Sequence, residues 1–258
     1  YKENYKKNFI EIEDFGDNTV FELLRKKRSN RINLYKKSID LLCKIQKIKQ
    51  NKIKNFKKKT YKVPVYENSE LLKEAKLFSK WYTKKYIPIR KLPSFNIAIN
   101  KQIKFLLSNL KLKNDTLVHR DFHVSNLMTY KNKLAIIDTQ DALIGNRAYD
   151  LASLIDDVRF KTNKKLKEDI YNYYLKFSKK KINKAILLND FEILSVIRNM
   201  KIIGIFTRLA TRDKKTKYLK LIPYAWRLIE LRIKNKKIFN DLKKFFDLNF
   251  PKKIRNLK

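Results

Sequence analysis

Val118 to Asp138 read VHRDFHVSNLMTYKNKLAIID, the most informative segment of this sequence. It places Asp121 inside a His-Arg-Asp triplet, Asn126 five residues later, and Asp138 at the end of an apolar run. Phosphoryl transfer needs these residue types, because a metal must neutralise the transferring group and a carboxylate must orient the attacking hydroxyl. We therefore expect Asp121 to accept the proton of a substrate hydroxyl. Asn126 and Asp138 are expected to hold Mg²⁺ through hard oxygen ligands.

The residues that follow Asn126 have the pattern of a β-hairpin. Leu127 to Tyr130 and Leu134 to Asp138 are short β-prone runs around a polar turn, Lys131 to Lys133. Asn126 and Asp138 each lie six residues from the middle of this turn. A hairpin brings them together at its open end, where cross-strand neighbours stand about 5 Å apart and can share one ion. The alternative is that the polar residues of the stretch are ordinary turn and strand-end groups.

The stretch resembles the catalytic motif of the aminoglycoside phosphotransferase and choline kinase family, which shares the protein-kinase fold. Three blocks are similar, more specifically, to the bacterial anomeric sugar kinases that phosphorylate N-acetylmuramate and N-acetylglucosamine in peptidoglycan recycling. They are FIEIEDFGDNTVFELL (9–24), IIDTQDALIGNRAYDLASLIDD (136–157) and KIIGIFTRLATRDKKTKYLKLIP (201–223). The resemblance covers nearly the whole chain. It departs at Thr139, where the family usually has phenylalanine, so the packing of that loop is left open.

The resemblance implies an α+β, predominantly helical fold: a protein-kinase-like C-lobe with a short catalytic β-hairpin. It assigns residues 1–15 to the last N-lobe strand and the hinge. Residues 16–258 form the helical C-lobe, with the catalytic loop at 118–138. The implied cofactors are ATP and Mg²⁺, and the adenine is expected to pair with the hinge backbone at the Glu13 carbonyl and the Phe15 amide.

The N-lobe of a kinase fold is not recognisable in this sequence. Such kinases carry a glycine-rich loop over the phosphates and a strand lysine paired with a helix glutamate. The chain has 3 glycines, none of them in such a loop, and the hinge-like block begins almost at residue 1. We expect that the N-lobe is largely missing by truncation, and that the isolated chain shows little or no phosphotransfer. The alternative is a natural pseudokinase, against which the intact catalytic and metal-binding residues argue.

Supporting roles fall to residues on either side of the loop. By resemblance His119 and Asp150 brace the catalytic loop. By local physics Asp150 is a carboxylate at a helix start, facing the positive end of the dipole. His123, two residues beyond Asp121, is a candidate for substrate contact, and the alternative is a packing or hydrogen-bonding group.

A long predicted helix and its end contribute candidates for the acceptor pocket: Arg198, Lys201, Arg208, Arg212 and Asp213. The arginines, Arg208 and Arg212 above all, suit carboxylates and sugar hydroxyls, and N-acetylmuramate carries a carboxylate. The alternative is a set of surface salt bridges and helix-end charges. We expect ATP-dependent phosphorylation of the anomeric hydroxyl of N-acetylmuramate or N-acetylglucosamine. An aminoglycoside or choline-type kinase is the alternative inside the fold, and a basic pseudokinase acting as a binding module is the alternative of another class.

The net charge of +38 suggests nucleic acid at first sight. Lysine, isoleucine and asparagine all run high together while arginine is comparatively scarce, which is the pattern of AT-rich codon usage. The lysines are also scattered over most polar faces, and no RNA-binding motif occurs. We therefore expect a solvated basic surface and no specific nucleic-acid partner.

Composition and periodicity complete the prediction. No run approaches the roughly 18 apolar residues of a membrane span. Cys43 is the only cysteine, which fits a reducing compartment, and we expect a cytoplasmic monomer that acts on a small-molecule sugar. Helical patterns cover residues 32–48 and 95–110. Residues 51–68 are expected to form a lysine-rich connection.

Overall fold

A computed structural model of the chain describes residues 2–4, 7, 9–26, 30–54, 57–178 and 182–256. These residues are mostly helical, as predicted. Their α-helices are α1 (Val20–Arg25), α2 (Arg31–Ile45), α3 (Asn68–Leu77), α4 (Leu92–Ser108), α5 (Ala148–Ile155), α6 (Lys164–Phe177), α7 (Lys184–Thr211), α8 (Ile222–Ile233), α9 (Asn240–Asn249) and α10 (Lys252–Arg255). Their strands are β1 (Lys2–Asn4), β2 (Phe9–Glu11), β3 (Lys52–Lys54), β4 (Thr60–Lys62), β5 (Asn114–Val118), β6 (Leu127–Tyr130), β7 (Lys133–Ile136) and β8 (Leu143–Asn146).

Helix α7 is the centre of the fold. Most of its 28 residues are buried, and it packs against α3, α5 and α8. A helix that is apolar around most of its circumference is stable only inside a core. Helix α3 continues into a π-helical turn, Phe78–Tyr82, which also lies on α7. Among the described helices none is both long and apolar enough to cross a bilayer.

A buried charge cluster ties α7 to its neighbours. The Asp156 carboxylate, at the end of α5, accepts hydrogen bonds from Ser195 at 2.6 Å and from Arg232 at 2.8 and 2.9 Å. Lys167 donates to it at 3.0 Å. Burial raises the pKa of Asp156, but these cations outweigh it and hold the pKa far below its usual range. The cluster joins α5, α6, α7 and α8.

The strands form small antiparallel pairs around this helical core: β1 with β2, β3 with β4, β5 with β8, and β6 with β7. Two isolated bridges extend them. Thr19, just before α1, pairs with Met128 of β6, and Val65 pairs with Ile144 of β8. The segment 118–138 therefore begins at the end of β5, continues as the catalytic loop, and then forms the β6–β7 hairpin beside the start of α1.

The catalytic hairpin forms, but its turn is tighter than predicted. Only Lys131 and Asn132 lie between the strands, with φ of 47° and 61°. Two left-handed residues are typical of a type I′ turn, whose twist matches that of the strands. The register is consequently shifted by one residue, and the Ile137 amide donates to the Asn126 carbonyl at 3.1 Å. The prediction that Asn126 lies directly opposite Asp138 was wrong by one position.

The lysine-rich connection contains an element that the sequence did not reveal. Strands β3 and β4 form a hairpin inside residues 51–68, and all six of their residues are exposed. A strand pair with no buried face leaves no period-2 hydrophobic pattern to find. The two predicted helices exist with small shifts, as α2 (Arg31–Ile45) and α4 (Leu92–Ser108).

Candidate active site

The catalytic loop leaves β5 through a left-handed turn that Asp150 holds in place. Arg120 has φ of 74°, a conformation that costs energy in any residue except glycine. The fully buried Asp150 carboxylate accepts the His119 amide at 2.7 Å and the Arg120 amide at 3.0 Å. Burial raises the pKa of Asp150 to about 7 in spite of these bonds. Helix α5 thus places a carboxylate where it can fix the shape of the loop.

His119 joins the loop to the end of β7. Its Nε2 lies 2.9 Å from the Ile137 carbonyl, and the Asp121 amide donates to its Nδ1 at 3.3 Å. Both contacts are satisfied together only by the neutral tautomer with a proton on Nε2. Desolvation lowers the pKa of His119, against the raising effect of the Ile137 carbonyl, Asp121 and Asp138. A neutral imidazole therefore spans the two halves of the site.

Asn126 and Asp138 lie at the same end of the hairpin. The Asn126 side-chain amide donates to the Asp121 backbone carbonyl at 3.1 Å, which leaves its amide oxygen available as a ligand. Asp138 has φ of 60°, so the chain turns away sharply after Ile137. Within the described ranges no hydrogen bond reaches the Asp138 carboxylate. Two hard oxygen donors of different types are therefore free near the loop.

This donor set suits Mg²⁺. The described residues include no cluster of three or more His, Cys, Asp or Glu side chains that could hold a metal by itself. Mg²⁺ does not need one, because in phosphotransfer sites it keeps water and phosphate oxygens and takes only one or two protein carboxylates. One carboxylate and one amide oxygen fit that requirement.

Asp121 is exposed to solvent and stands among cations. Desolvation by the protein packed against it raises its pKa, but Lys201, Arg198 and then His123 and Arg159 outweigh this and lower the pKa below its ordinary value. The carboxylate is therefore ionised at neutral pH. No hydrogen bond to its oxygens occurs in the part of the chain that the structure describes, so they are free to meet a ligand.

A charge network behind the loop was missed from the sequence. Glu74 of α3 accepts hydrogen bonds from Tyr66 and Arg120 and pairs with Lys201 at 3.0 Å. The Arg120 guanidinium also lies over the Tyr66 ring, 5.2 Å from its centroid. These residues come from three distant parts of the sequence, around residues 66–74, at Arg120 and at Lys201, and no local spacing connects the three. The network fixes α7 against the residue next to Asp121.

His123 is buried beside a second carboxylate. Asp157 accepts the Val124 amide at 3.3 Å and both the amide and the guanidinium of Arg159, at 3.0 and 3.2 Å. His123 is 5% exposed and its Nδ1 has no hydrogen-bond partner. Burial first, and then Arg159, lower the pKa of His123 to about 3. A neutral, enclosed ring lies under the loop.

We expect His123 to remain neutral well below the pH at which ordinary histidines protonate, about 6.5. The chain has 2 histidines, so NMR of labelled imidazole nitrogens resolves both. His119 should also titrate below the ordinary value. Because the unfolded histidines bind protons first, the pair should reduce stability as pH falls below about 6.5. A ring that protonates near pH 6.5 in the folded protein would contradict this environment for His123.

The arginine candidates lie farther along α7. Arg212 caps the end of the helix and pairs with the adjacent Asp213 at 2.7 and 3.0 Å, largely in solvent. Arg208 is partly buried, and its Nε is enclosed without a partner. Among the described contacts neither reaches Asp121. The exposed ion pair of Arg212 with Asp213 agrees with the alternative that this arginine is a helix-end charge. Arg208, in contrast, still has an unpaired donor, Nε, with which to bind a ligand.

The predicted hinge residues lie against the catalytic hairpin. Glu13 pairs with Lys131 of the turn at 3.5 Å. Phe15 packs edge-on to Tyr130, with the ring centroids 5.3 Å apart. The Thr129 amide then donates to the Asn18 carbonyl at 2.8 Å. The hinge-like segment is thus joined to the hairpin that carries Asn126.

Comparison with known proteins agrees with this arrangement. The sequence matches the model of the phosphotransferase enzyme family over residues 19–182. It is 27% identical over 237 residues to the N-acetylmuramate/N-acetylglucosamine kinase of Pseudomonas aeruginosa, covering 90% of this chain and 67% of that protein. It is 29% identical over 223 residues to the kinase of the same name from Neisseria meningitidis serogroup B, covering 83% of this chain and 64% of that protein. The chain spans about two thirds of the length of these relatives.

Solved structures show the same fold. A choline/ethanolamine kinase family protein from Mesorhizobium loti aligns with a TM-score of 0.55 at 11% identity, covering 88% of this chain and 70% of that one. Plasmodium vivax ethanolamine kinase aligns with a TM-score of 0.51 at 14% identity, covering 78% and 60%. At such identities the similarity concerns the backbone, and it confirms the kinase-like fold.

Proposed function

The chain belongs to the phosphotransferase enzyme family, and from this premise we propose that it transfers the γ-phosphoryl group of ATP to a sugar hydroxyl. The proposed acceptor is the anomeric hydroxyl of N-acetylmuramate or N-acetylglucosamine, the sugars in the names of its relatives. The observation that carries the proposal is an exposed, ionised Asp121 whose loop is joined to Asn126 and, through His119, to the residue before Asp138.

Asp121 orients the acceptor in this proposal. Its low pKa makes it a weak base, but the transition state of phosphoryl transfer is loose, so the hydroxyl proton is needed late. The main contribution of the carboxylate is then to hold the hydroxyl oxygen in line with the phosphorus atom. As the new P–O bond forms, the bond from the γ-phosphorus to the bridging oxygen breaks, ADP leaves, and the hydroxyl proton moves to a carboxylate oxygen of Asp121.

Asn126 and Asp138 hold Mg²⁺ in the same proposal. The bound ion neutralises the charge on the phosphate oxygens. The Asn126 side chain is kept in position by its hydrogen bond to the Asp121 carbonyl, so the ion site and the base are fixed relative to each other. Residues 1–15 supply the last N-lobe strand and the hinge, with adenine at the Glu13 carbonyl and the Phe15 amide. Residues 16–258 supply the C-lobe.

A panel of acceptors tests the function. The product of the full reading frame is incubated with ATP and each of N-acetylmuramate, N-acetylglucosamine, choline and kanamycin, and ADP release is followed. We expect turnover with one or both sugars and background rates with choline and kanamycin. Preference for choline or kanamycin would favour the aminoglycoside or choline-type alternative. No ADP release with any of the four acceptors would support the binding-module alternative.

Arg208→Ala tests the acceptor side of the site. If Arg208 binds the sugar, the variant should raise the KM for sugar by roughly tenfold, the loss of about one charge-assisted hydrogen bond. The KM for ATP should not change. Arg212→Ala is the matched control, since its guanidinium is already paired with Asp213 in solvent. Unchanged sugar kinetics in Arg208→Ala would remove Arg208 from the pocket.

A further inference from the structure

Arg198 is a buried cation without a partner. It lies in the middle of α7, it is 3% exposed, and its Nη1 has no hydrogen-bond partner. Within the described residues it forms no ion pair. Most other cations enclosed in the fold are ion-paired: Lys167 and Arg232 pair with Asp156, Lys201 pairs with Glu74, and Arg255 pairs with Glu230 and Asp247. Arg147 forms no ion pair among the described residues, but it donates a hydrogen bond to the Thr116 hydroxyl at 3.4 Å. A buried guanidinium with an unmet donor is costly, so its presence needs an explanation.

The face of α7 that carries Arg198 also carries Lys201, because the two residues are three apart and therefore neighbours on the helix surface. Lys201 pairs with Glu74, which in turn binds Arg120 beside Asp121. This chain of contacts places Arg198 about one helical turn from a residue that is linked to the catalytic loop. In agreement with this, the charge of Arg198 helps to lower the pKa of Asp121, Asp150 and Asp157.

The other carboxylates of this region already have donors. Asp150 binds two loop amides, and Asp157 binds Arg159 and the Val124 amide. Asp121 is exposed, and its oxygens are those that meet the acceptor in the proposed reaction. These carboxylates offset part of the charge of Arg198, but among the described residues none accepts a hydrogen bond from its guanidinium.

The catalytic loop itself supplies no cation after Asp121. The next four residues are Phe122, His123, Val124 and Ser125, and His123 is kept neutral by burial, with its pKa lowered to about 3. Transfer of a phosphoryl group develops negative charge that fixed positive groups must stabilise. A cation from outside the loop would add to the charge that the proposed Mg²⁺ supplies, and Lys201 is already engaged with Glu74.

We propose that Arg198 binds an anionic oxygen of the reacting pair at Asp121, contributed either by the transferring phosphoryl group or by a carboxylate on the acceptor. This inference rests on the proposed function and adds a binding residue to it. Since only 3% of the residue is exposed, Arg198 can present one edge to a ligand, which suits a single oxygen. Binding would complete the hydrogen bonds that its guanidinium lacks.

Arg198→Met tests the proposal, because methionine fills similar space without charge. The full reading-frame product is assayed with N-acetylmuramate, which carries a carboxylate, and with N-acetylglucosamine, which does not. If the phosphoryl group is the ligand, kcat should fall with both sugars, by roughly 10²-fold or more. If the acceptor carboxylate is the ligand, only the KM for N-acetylmuramate should rise, by roughly tenfold to a hundredfold. Unchanged constants with both sugars would overturn the proposal.

Controls separate this inference from folding and from the proposed function. Arg227→Met removes an exposed arginine of α8 and should change neither kcat nor the KM for N-acetylmuramate. Arg198→Lys keeps the positive charge and is used if Arg198→Met does not fold. Because lysine lacks the two-pronged guanidinium, this variant should change the same kinetic constant, kcat or KM, by a smaller factor.

If the wild type phosphorylates neither sugar, the proposed function fails. The Arg198 site is then tested by thermal shift with inorganic phosphate and with lactate. One of these anions should stabilise the wild type and Arg227→Met more than Arg198→Met, and equal shifts in all three would overturn the site.

Discussion

Asp121→Asn is expected to reduce ATP-dependent transfer to the acceptor by roughly 10²- to 10⁴-fold, the range for loss of a positioned general base. The substitution replaces one carboxylate oxygen by an amide nitrogen of nearly the same size. It keeps the backbone contacts of residue 121 with His119 and Asn126. Only the ability to orient and deprotonate the hydroxyl is lost, so kcat should fall while the Kd for ATP stays within about a factor of two of the wild-type value.

Stability should fall only slightly with this variant, by the loss of the attraction between the carboxylate and its neighbouring cations. Asp121 is exposed and surrounded by cations, and its oxygens accept no hydrogen bond in the described part of the chain. We expect the melting temperature of Asp121→Asn to stay within a few degrees of the wild type. Asp169→Asn removes an exposed carboxylate of α6 and is the matched control, with unchanged turnover. Full activity in Asp121→Asn would exclude Asp121 as the base.

Gly204→Ala is expected to destabilise the fold, although alanine is the better helix former by about 1 kcal/mol. Gly204 lies in α7 where this helix crosses the end of α3, and an added Cβ would fall on the carbonyl group of Leu77 and the nitrogen of Phe78. These are backbone atoms at the junction with the π turn, so they cannot move aside as a side chain would. Overpacking of this kind typically costs about 1–3 kcal/mol, and here the clash with backbone places it at the upper end or beyond.

Urea denaturation measures this effect directly. Gly204→Ala should lower the free energy of unfolding by about 2 kcal/mol or more, with little change in the m-value. Gly16→Ala is the control, because Gly16 has φ of 67° and open space around it. That variant should lose only about 1 kcal/mol, from the left-handed backbone alone. Equal or higher stability in Gly204→Ala would contradict the close approach of α7 to α3.

The elements that the sequence revealed are those with a local pattern. After Asn126, two β-prone segments flank a polar turn, so the hairpin could be predicted from residues that are close together in the sequence. The single-residue error in register has a local cause too. Lys131 and Asn132 adopt a two-residue turn without the glycine that usually marks it. The predicted helices were likewise found within a few residues of their observed ends.

The parts that the sequence did not reveal depend on distant contacts. Glu74, Arg120 and Lys201 meet only after α3, the catalytic loop and α7 have packed together. The sequence named Arg198 only as one of several charged candidates for the acceptor pocket, and its spacing does not distinguish it from the other basic residues of α7. Its burial does so, because a cation that costs energy in the core stands out only when its surroundings are known.

In the proposed reaction, Asp121 directs the γ-phosphoryl group of ATP to the anomeric hydroxyl of an amino sugar. Phosphorus NMR of the reaction of the full reading-frame product with ATP and N-acetylmuramate or N-acetylglucosamine identifies the hydroxyl that is phosphorylated. We predict a new sugar-phosphate resonance coupled to the anomeric proton, present with the wild type and absent with Asp121→Asn. Phosphate on another hydroxyl, inorganic phosphate as the only product, or an undiminished signal with Asp121→Asn would contradict the claim.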